Sequence, residues 1–288
     1  MKKIVGILTG YGMIAPILVG CMMFYIVPFG FVIRYSMTEG YGKSTTFIGL
    51  EHYRTMIRNN MFRLAFSNTL RFLAISLPII MVLAYVIALL LKNNAGQFKF
   101  VKYVFLLPYI MPVAGTVLLI DVLFAEYGLL NDLCAVVKLP TTDWVNSPYA
   151  FWIVLLLYLW KNTTYSTILL LAGLVTIPEE QYEAAELDGA SGWQKFRHIT
   201  TPQMWYTVFI TLVFSLINAF KCFREIFLVG GEHPDTSIYM LQHFINNSFQ
   251  NLNYARLSVA SVLFCLIVIT FFSLLYIWIT RKEKEGGR

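Results

Sequence analysis

The sequence predicts an all-α membrane protein of six transmembrane helices. Three observations predict it. Of 288 residues, 58% are hydrophobic and only 13% are charged, with a mean hydropathy of +0.65, whereas soluble domains carry about a quarter charged residues. Six stretches, about 11–35, 67–91, 103–124, 150–176, 204–229 and 257–280, are apolar over the roughly 20 residues a helix needs to cross the hydrocarbon core. The basic residues are also distributed unevenly about those stretches. With six spans both termini share one side, and the positive-inside rule makes that side the cytoplasm. Lys2, Lys3, Lys92, Lys99, Lys102, Lys195, Arg197, Arg281, Lys282, Lys284 and Arg288 then lie inside, against Lys43, Arg54, Arg58, Arg63, Lys138 and Arg256 outside. The net charge of +6 follows from this topology and calls for no nucleic-acid partner. The expected organisation is a cytoplasmic N-terminus at 1–10, a six-span domain at 11–280 and a basic cytoplasmic tail at 281–288.

Lys2-Lys3 before an apolar run invites a signal-peptide reading, but the apolar stretch continues to about Tyr35 with no small-x-small site after it. It is expected to be a retained span. Of the four cysteines, Cys21, Cys222 and Cys265 fall within spans and Cys134 is alone in an outer loop, so neither a disulfide framework nor metal-ligand spacing is present. After the first span, Gly42-Lys43-Ser44-Thr45 imitates the end of a phosphate-binding loop. Met37 stands where the first glycine should be, and the segment follows a membrane helix on the outer side. Nucleotide binding is not expected here.

Leu50, Tyr53, Met56 and Ile57 recur at helical spacing, with Arg54 and Arg58 on another face. They describe a short amphipathic helix along the outer membrane surface. His52 beside them has no partner at metal-ligand spacing. Prolines 78, 108 and 112 sit in the second and third spans, where they free backbone groups for neighbouring helices to satisfy.

The fourth span carries Lys161 near its middle, where a lysine costs roughly 2.5–3.5 kcal/mol on insertion scales. Tyr158, Asn162 and Tyr165 recur beside it. The fifth span adds Asn218, Lys221, Cys222 and Glu225 on one face, with Arg224 nearby. One reading makes Tyr158, Lys161, Asn162, Tyr165, Asn218, Lys221 and Glu225 the lining of a substrate pathway, with Trp160 or Tyr158 stacked on a sugar ring. The other makes them interhelical glue, with Lys221 and Glu225 as an i,i+4 pair and the long cations reaching outward.

Between these spans lies 178–202, IPEEQYEAAELDGASGWQKFRHITTP when read with Ile177. Pro178 suits a first helical position, and Glu179 and Glu180 follow at the positive end of the helix dipole. Gly189 can take a left-handed C-terminal cap. Ser191 and Gln194 form an S-x-x-Q capping box for a second short helix, which Pro202 closes or kinks. The fifth span then leads to Gly230-Gly231-Glu232-His233-Pro234-Asp235-Thr236, a turn-rich loop.

The spacing Glu183-Ala184-Ala185, Gly189, Ile199, Pro202 resembles the EAA loop of ABC importer permeases, the cytoplasmic coupling helix that docks on an ATPase subunit. Ile177-Pro178, Tyr182 and Asp188-Gly189-Ala190 resemble the carbohydrate-uptake branch, as do the amphipathic segment 47–70 and the Gly-Gly loop before Tyr239 to Phe249. Thr201 stands where the family usually has Leu, and Phe220-Lys221 where many relatives have Phe-Asp. The resemblance covers roughly 10–280. It implies a type I ABC importer permease fold in a bacterial cytoplasmic membrane, surrounded by lipid. It gives Glu183, Ala184, Ala185, Asp188, Gly189, Ile199 and Pro202 a role in ATPase coupling. The implied partners are a second homologous permease, two ATPase subunits, an extracytoplasmic solute-binding protein and a sugar or oligosaccharide substrate. This chain would bind no cofactor and do no covalent chemistry, ATP and Mg being used by the ATPase subunits.

Two other classes are weighed against it. A secondary transporter of a polar solute would couple through intramembrane carboxylates and repeated halves; only Asp121 and Glu225 qualify, and no internal repeat is visible. An intramembrane enzyme would need a nucleophile or metal cluster, and the four histidines, 52, 198, 233 and 243, lie in loops.

Overall fold

The computed structural model describes residues 2–40, 44–93 and 107–286. The Gly42-Lys43 pair, the start of the third expected span at 103–106, Lys99, Lys102 and the tail residues 287–288 lie outside them. Six helical stretches among the described residues are long and apolar enough to cross a membrane: Tyr11–Met37, Asn60–Lys92, Val113–Val136, Ala150–Val175, Gly192–Gly230 and Tyr254–Arg281. The chain divides into two compact units, Met1–Arg63 with Phe244–Val268, and Leu64–His243 with Ile269–Arg288.

In the first unit, α1 (Lys2–Cys21) passes through a π turn (Met22–Ile26) into α2 (Val27–Met37). Pro28 explains the π turn: it lacks the N–H of a regular α rung, and its ring would press on the carbonyl four residues back. A two-residue antiparallel ladder, β1 (Thr38–Glu39) with β2 (Thr46–Phe47), adds the only strands among the described residues. The expected amphipathic helix is α3 (Glu51–Arg58), which buries Met56 and leaves Leu50 and Ile57 exposed. It is tied back by Ser36 Oγ to Tyr53 OH at 2.7 Å and by His52 Nε2 at 3.1 Å from the Thr38 carbonyl. Asn59 accepts the Phe62 N–H at 2.9 Å and so caps α4 (Asn60–Asn93).

In the second unit the described part of the third span is helical at 107–110, breaks at 111–112 and resumes as helix. Pro112 is the N-cap of α5 (Val113–Phe124), and a turn at 125–128 leads into α6 (Leu129–Val136), which carries Cys134 and extends the span beyond its expected end. Buried Asn131 fixes this extension. It donates to the carbonyls of Glu126 (2.8 Å) and Thr142 (2.9 Å) and accepts from the Trp144 indole at 2.8 Å.

The fourth span is α7 (Ala150–Val175). After it come α8 (Glu179–Leu187), α9 (Gly192–Lys195), a π turn (Phe196–Thr200) and the fifth span, α10 (Thr201–Lys221) continued by α11 (Phe223–Gly230). Lipid tails give apolar helices no hydrophobic reason to associate, so close approach and polar contacts must hold them. That is how α7 meets α10. A Cβ on Gly173 would lie 2.5 Å from Thr207 Oγ1, and Ser166 Oγ lies 3.1 Å from Ser215 Oγ. Finally, α12 (Leu241–Gln250) leads to α13 (Tyr254–Gly286), whose Trp278 ring edge meets Trp205 at 5.0 Å. His52, His198 and His243 therefore lie in helices rather than loops.

Candidate functional site

The 178–202 segment folds as two short helices joined at a glycine. Pro178 is the N-cap of α8 rather than its first helical residue, with an extended ψ of 133°. The C-terminus of α8 closes as a Schellman motif: Gly189, at φ +78°, donates to the Glu186 carbonyl at 3.0 Å, and Ala190 donates to the Ala185 carbonyl at 2.8 Å. Ser191 follows at once as N-cap. Its hydroxyl accepts from the Gln194 N–H at 3.4 Å while the Gln194 side chain accepts from the Ser191 N–H at 2.7 Å, the expected capping box.

Pro202 does not close the second helix. It sits in the first turn of α10, directly after the π turn, which relieves the crowding its ring imposes. Thr201, in the place of the family's Leu, donates its hydroxyl to the Phe196 carbonyl at 2.9 Å. Helix α9 thus runs without interruption into the fifth span.

Two side chains anchor this hairpin to the spans. Tyr182 and Ile199 pack against a buried cluster of Ala84, Ala88, Leu170, Leu174, Ile177 and Met204, contributed by α4, α7 and α10 and the turn after α7. The Tyr182 hydroxyl lies 2.9 Å from Thr200 Oγ1, and Lys92 Nζ stands 4.2 Å over its ring and 3.7 Å from the Glu179 carboxylate. Glu186 accepts from Lys195 Nζ at 2.6 Å, a bond that holds its carboxyl below the usual carboxylate range. Of the residues expected to couple, Glu183, Ala184, Asp188, Gly189 and Pro202 are exposed, and Ala185 and Ile199 are half-buried. Leu187 is 91% exposed and Trp193 67%, large apolar surfaces on an otherwise polar hairpin. A groove of about 750 Å³ runs alongside, lined by Lys92, Tyr182, Glu183, Glu186, Trp193 and Lys195 among others. The anchoring by Lys92 lay beyond the sequence reading, because the cation comes from another span.

The polar residues of the fourth and fifth spans separate into two groups. Tyr158 is fully buried, donates to the Ser215 carbonyl at 2.8 Å and meets the Phe72 ring edge at 5.5 Å, so it is not free to stack on a sugar. Asn162, also buried, donates to the Tyr158 carbonyl at 2.9 Å. The i,i+4 pair of Lys221 and Glu225 that the interhelical-glue reading allows does not form. Glu225 turns inward to Lys161 at 2.6 Å, and Lys221 stays exposed one turn away.

The second group is open. Tyr165 is half-buried and stacks on Tyr109, with centroids 5.1 Å apart and planes 13° apart, while the Phe214 ring meets it edge-on at 5.9 Å. Trp160, Lys221 and Arg224 are exposed, and Asn218 is half-buried. No group of three or more metal-ligating side chains occurs among the described residues.

Residues 97–282 match the family described as "Binding-protein-dependent transport system inner membrane component". The chain is 26% identical over 280 residues to the trehalose/maltose transport system permease protein MalF of Thermococcus litoralis, covering 96% of this chain and 95% of that one. It is 30% identical over 237 residues to the sulfoquinovosyl glycerol transport system permease protein SmoG of Agrobacterium fabrum, covering 81% and 77%. Its fold superposes on a chain in the crystal structure of a bacterial alginate ABC transporter, solved in complex with an alginate pentasaccharide-bound periplasmic protein. There the TM-score is 0.82, with 21% identity and 98% of each chain covered.

Proposed function

The chain belongs to the binding-protein-dependent transport system inner membrane component family, and from that premise we propose that it is one of the two permease subunits of an ATP-driven importer for a sugar or oligosaccharide. Its partners are a second, similar permease, two ATPase subunits that bind ATP and Mg, and an extracytoplasmic solute-binding protein. Both termini and the 178–202 hairpin face the cytoplasm.

One observation carries this reading. The hairpin is closed on itself by a Schellman motif and a capping box and anchored to three spans through Tyr182 and Ile199, while it presents Leu187 and Trp193 outward. An exposed apolar pair on a rigid polar element is a surface for a protein partner. Because α9 runs straight into α10, a push on the hairpin reaches the fifth span without a flexible joint. Closure of the ATPases would then move α10 and the packed α7 together and change access to the pathway. The relatives' sugar substrates support the solute class.

Mild-detergent extraction of the tagged chain, with mass spectrometry of what accompanies it, tests the assembly. Solute uptake in proteoliposomes with and without ATP tests the coupling. We expect a second permease and an ATPase to co-purify and uptake to require ATP. A chain that purifies alone and still transports without ATP would sink the reading in favour of a secondary transporter.

A further inference from the structure

The fifth span shows an unpartnered face. Ile210, Phe214 and Ile217 are 48%, 40% and 41% exposed, and Lys221 and Arg224 continue the same stripe at helical spacing. Lys221 lies nine residues before the end of α11 at Gly230, about 14 Å of helix. Neither cation takes part in any ion pair among the described residues. Of the acids in the spans of this unit, Glu225 is taken by Lys161, and Asp121, Glu126 and Asp132 form no ion pair with either cation. Cations within a span turn toward a bundle interior or a water-filled cavity rather than toward lipid tails. By that rule this face points away from lipid tails, and its two cations have no anionic partner among the described residues.

One face-turn away the same surface carries the shelf made by stacked Tyr109 and Tyr165 with Phe214 at its edge. Tyr109 is 39% exposed. Phe214 and Lys221 are two turns apart, about 10 Å along the helix, a length that a short saccharide spans. Aromatic faces offer a pyranose ring an apolar platform, and paired lysine and arginine donors hold an anionic oxygen group with charge-assisted hydrogen bonds.

Resting on the importer reading above, we propose that the solute this chain carries is an acidic saccharide, its ring against the Tyr109–Tyr165–Phe214 shelf and its anionic group between Lys221 and Arg224. The assembled complex is titrated with trigalacturonate and, separately, with maltotriose, using wild type, Lys221→Gln/Arg224→Gln, and the charge-preserving Lys221→Arg/Arg224→Lys. We expect wild type to bind trigalacturonate about ten-fold or more tightly than maltotriose. The glutamine variant should lose that preference and the charge-preserving variant keep it. Equal binding, or binding of maltotriose alone, overturns the acidic class and leaves the saccharide importer standing; binding of neither probe overturns this site, while the importer reading stands or falls on co-purification and ATP dependence. A preference that survives in the glutamine variant removes these two residues from the site. So does a fall in co-purified phosphatidylglycerol with unchanged saccharide binding, which would make the cations a lipid-headgroup contact.

Discussion

Lys161 Nζ lies 2.6 Å from Glu225 Oε1, joining the fourth span to the terminal part of the fifth. The two side chains are 15% and 6% exposed, and Glu225 Oε2 has no hydrogen-bond partner among the described residues. A buried pair with an unsatisfied oxygen is a weak net stabiliser, because its attraction barely offsets the desolvation of both charges. Breaking it is different: the remaining charge is buried alone.

Lys161→Met is accordingly expected to lower the stability of the detergent-solubilised complex by about 3–5 kcal/mol. Lys161→Met/Glu225→Leu should recover most of that loss. Thermal unfolding of the three proteins checks this, and losses that simply add in the double variant would refute the pairing.

Gly173 sets the distance between α7 and α10. Its missing Cβ leaves room for Thr207, whose Oγ1, Cγ2 and Cβ would lie 2.5, 2.6 and 2.9 Å from it. Gly173→Ala should cost about 1–3 kcal/mol through overpacking. Thr207→Ala on that background should restore part of it by removing the two nearer atoms. A Gly173→Ala protein as stable as wild type, by the same unfolding measurement, would show that the helices separate freely.

The spans, the capping box at Ser191 and the left-handed turn at Gly189 were legible in the sequence, because each depends on residues close together in the chain. The partner of Glu225 was not. Lys221, four residues before it, is the local choice, but Glu225 faces inward at Ala150–Val175 and Lys221 faces out. For Tyr158 the sequence leaves pathway lining and interhelical packing both open, and its burial depends on Phe72 from the second span. Pro202 allows either a stop or a kink in the sequence, and the π turn that lets the helix pass through it has no sequence signature of its own. What stayed hidden was the facing of side chains, which is set by contacts far apart in sequence.

His243 is fully buried among Phe223, Phe227 and Tyr239, and its Nδ1 accepts the Met240 N–H at 3.2 Å. Burial, helped by the nearby His233, pushes its pKa down to about 4. The unfolded imidazole titrates near 6.5. Below that pH the unfolded chain takes up a proton that the folded chain refuses, so stability falls from about pH 6.5 to about pH 4 and then levels. The full loss is about 3 kcal/mol. Between pH 6.5 and 5 most carboxylates stay ionised, so the slope there reports on histidine. Melting temperatures across that interval should fall in wild type and stay nearly flat in His243→Gln; equal slopes would place the titrating group elsewhere.

Gly189 stands at φ +78°, and among the described residues nothing lies within 4 Å of where its Cβ would be. A substitution there is opposed by backbone conformation and not by collision. That makes an ordered series the right test. Asn tolerates the left-handed region, Ala less well, and a β-branched residue least, with roughly 1–2 kcal/mol against the turn for an ordinary side chain. If the Schellman closure holds the hairpin rigid between the ATPase and α10, solute moved per ATP hydrolysed should decline in the order Gly, Asn, Ala, Val. Gly189→Asp adds a charge to an exposed surface already bearing Asp188 and Glu186, and should lose co-purified ATPase as well. A Gly189→Val complex that keeps full coupling would mean the turn only connects the two helices, and the push on the fifth span would have to travel through the Tyr182 and Ile199 contacts and the continuous α9–α10 helix.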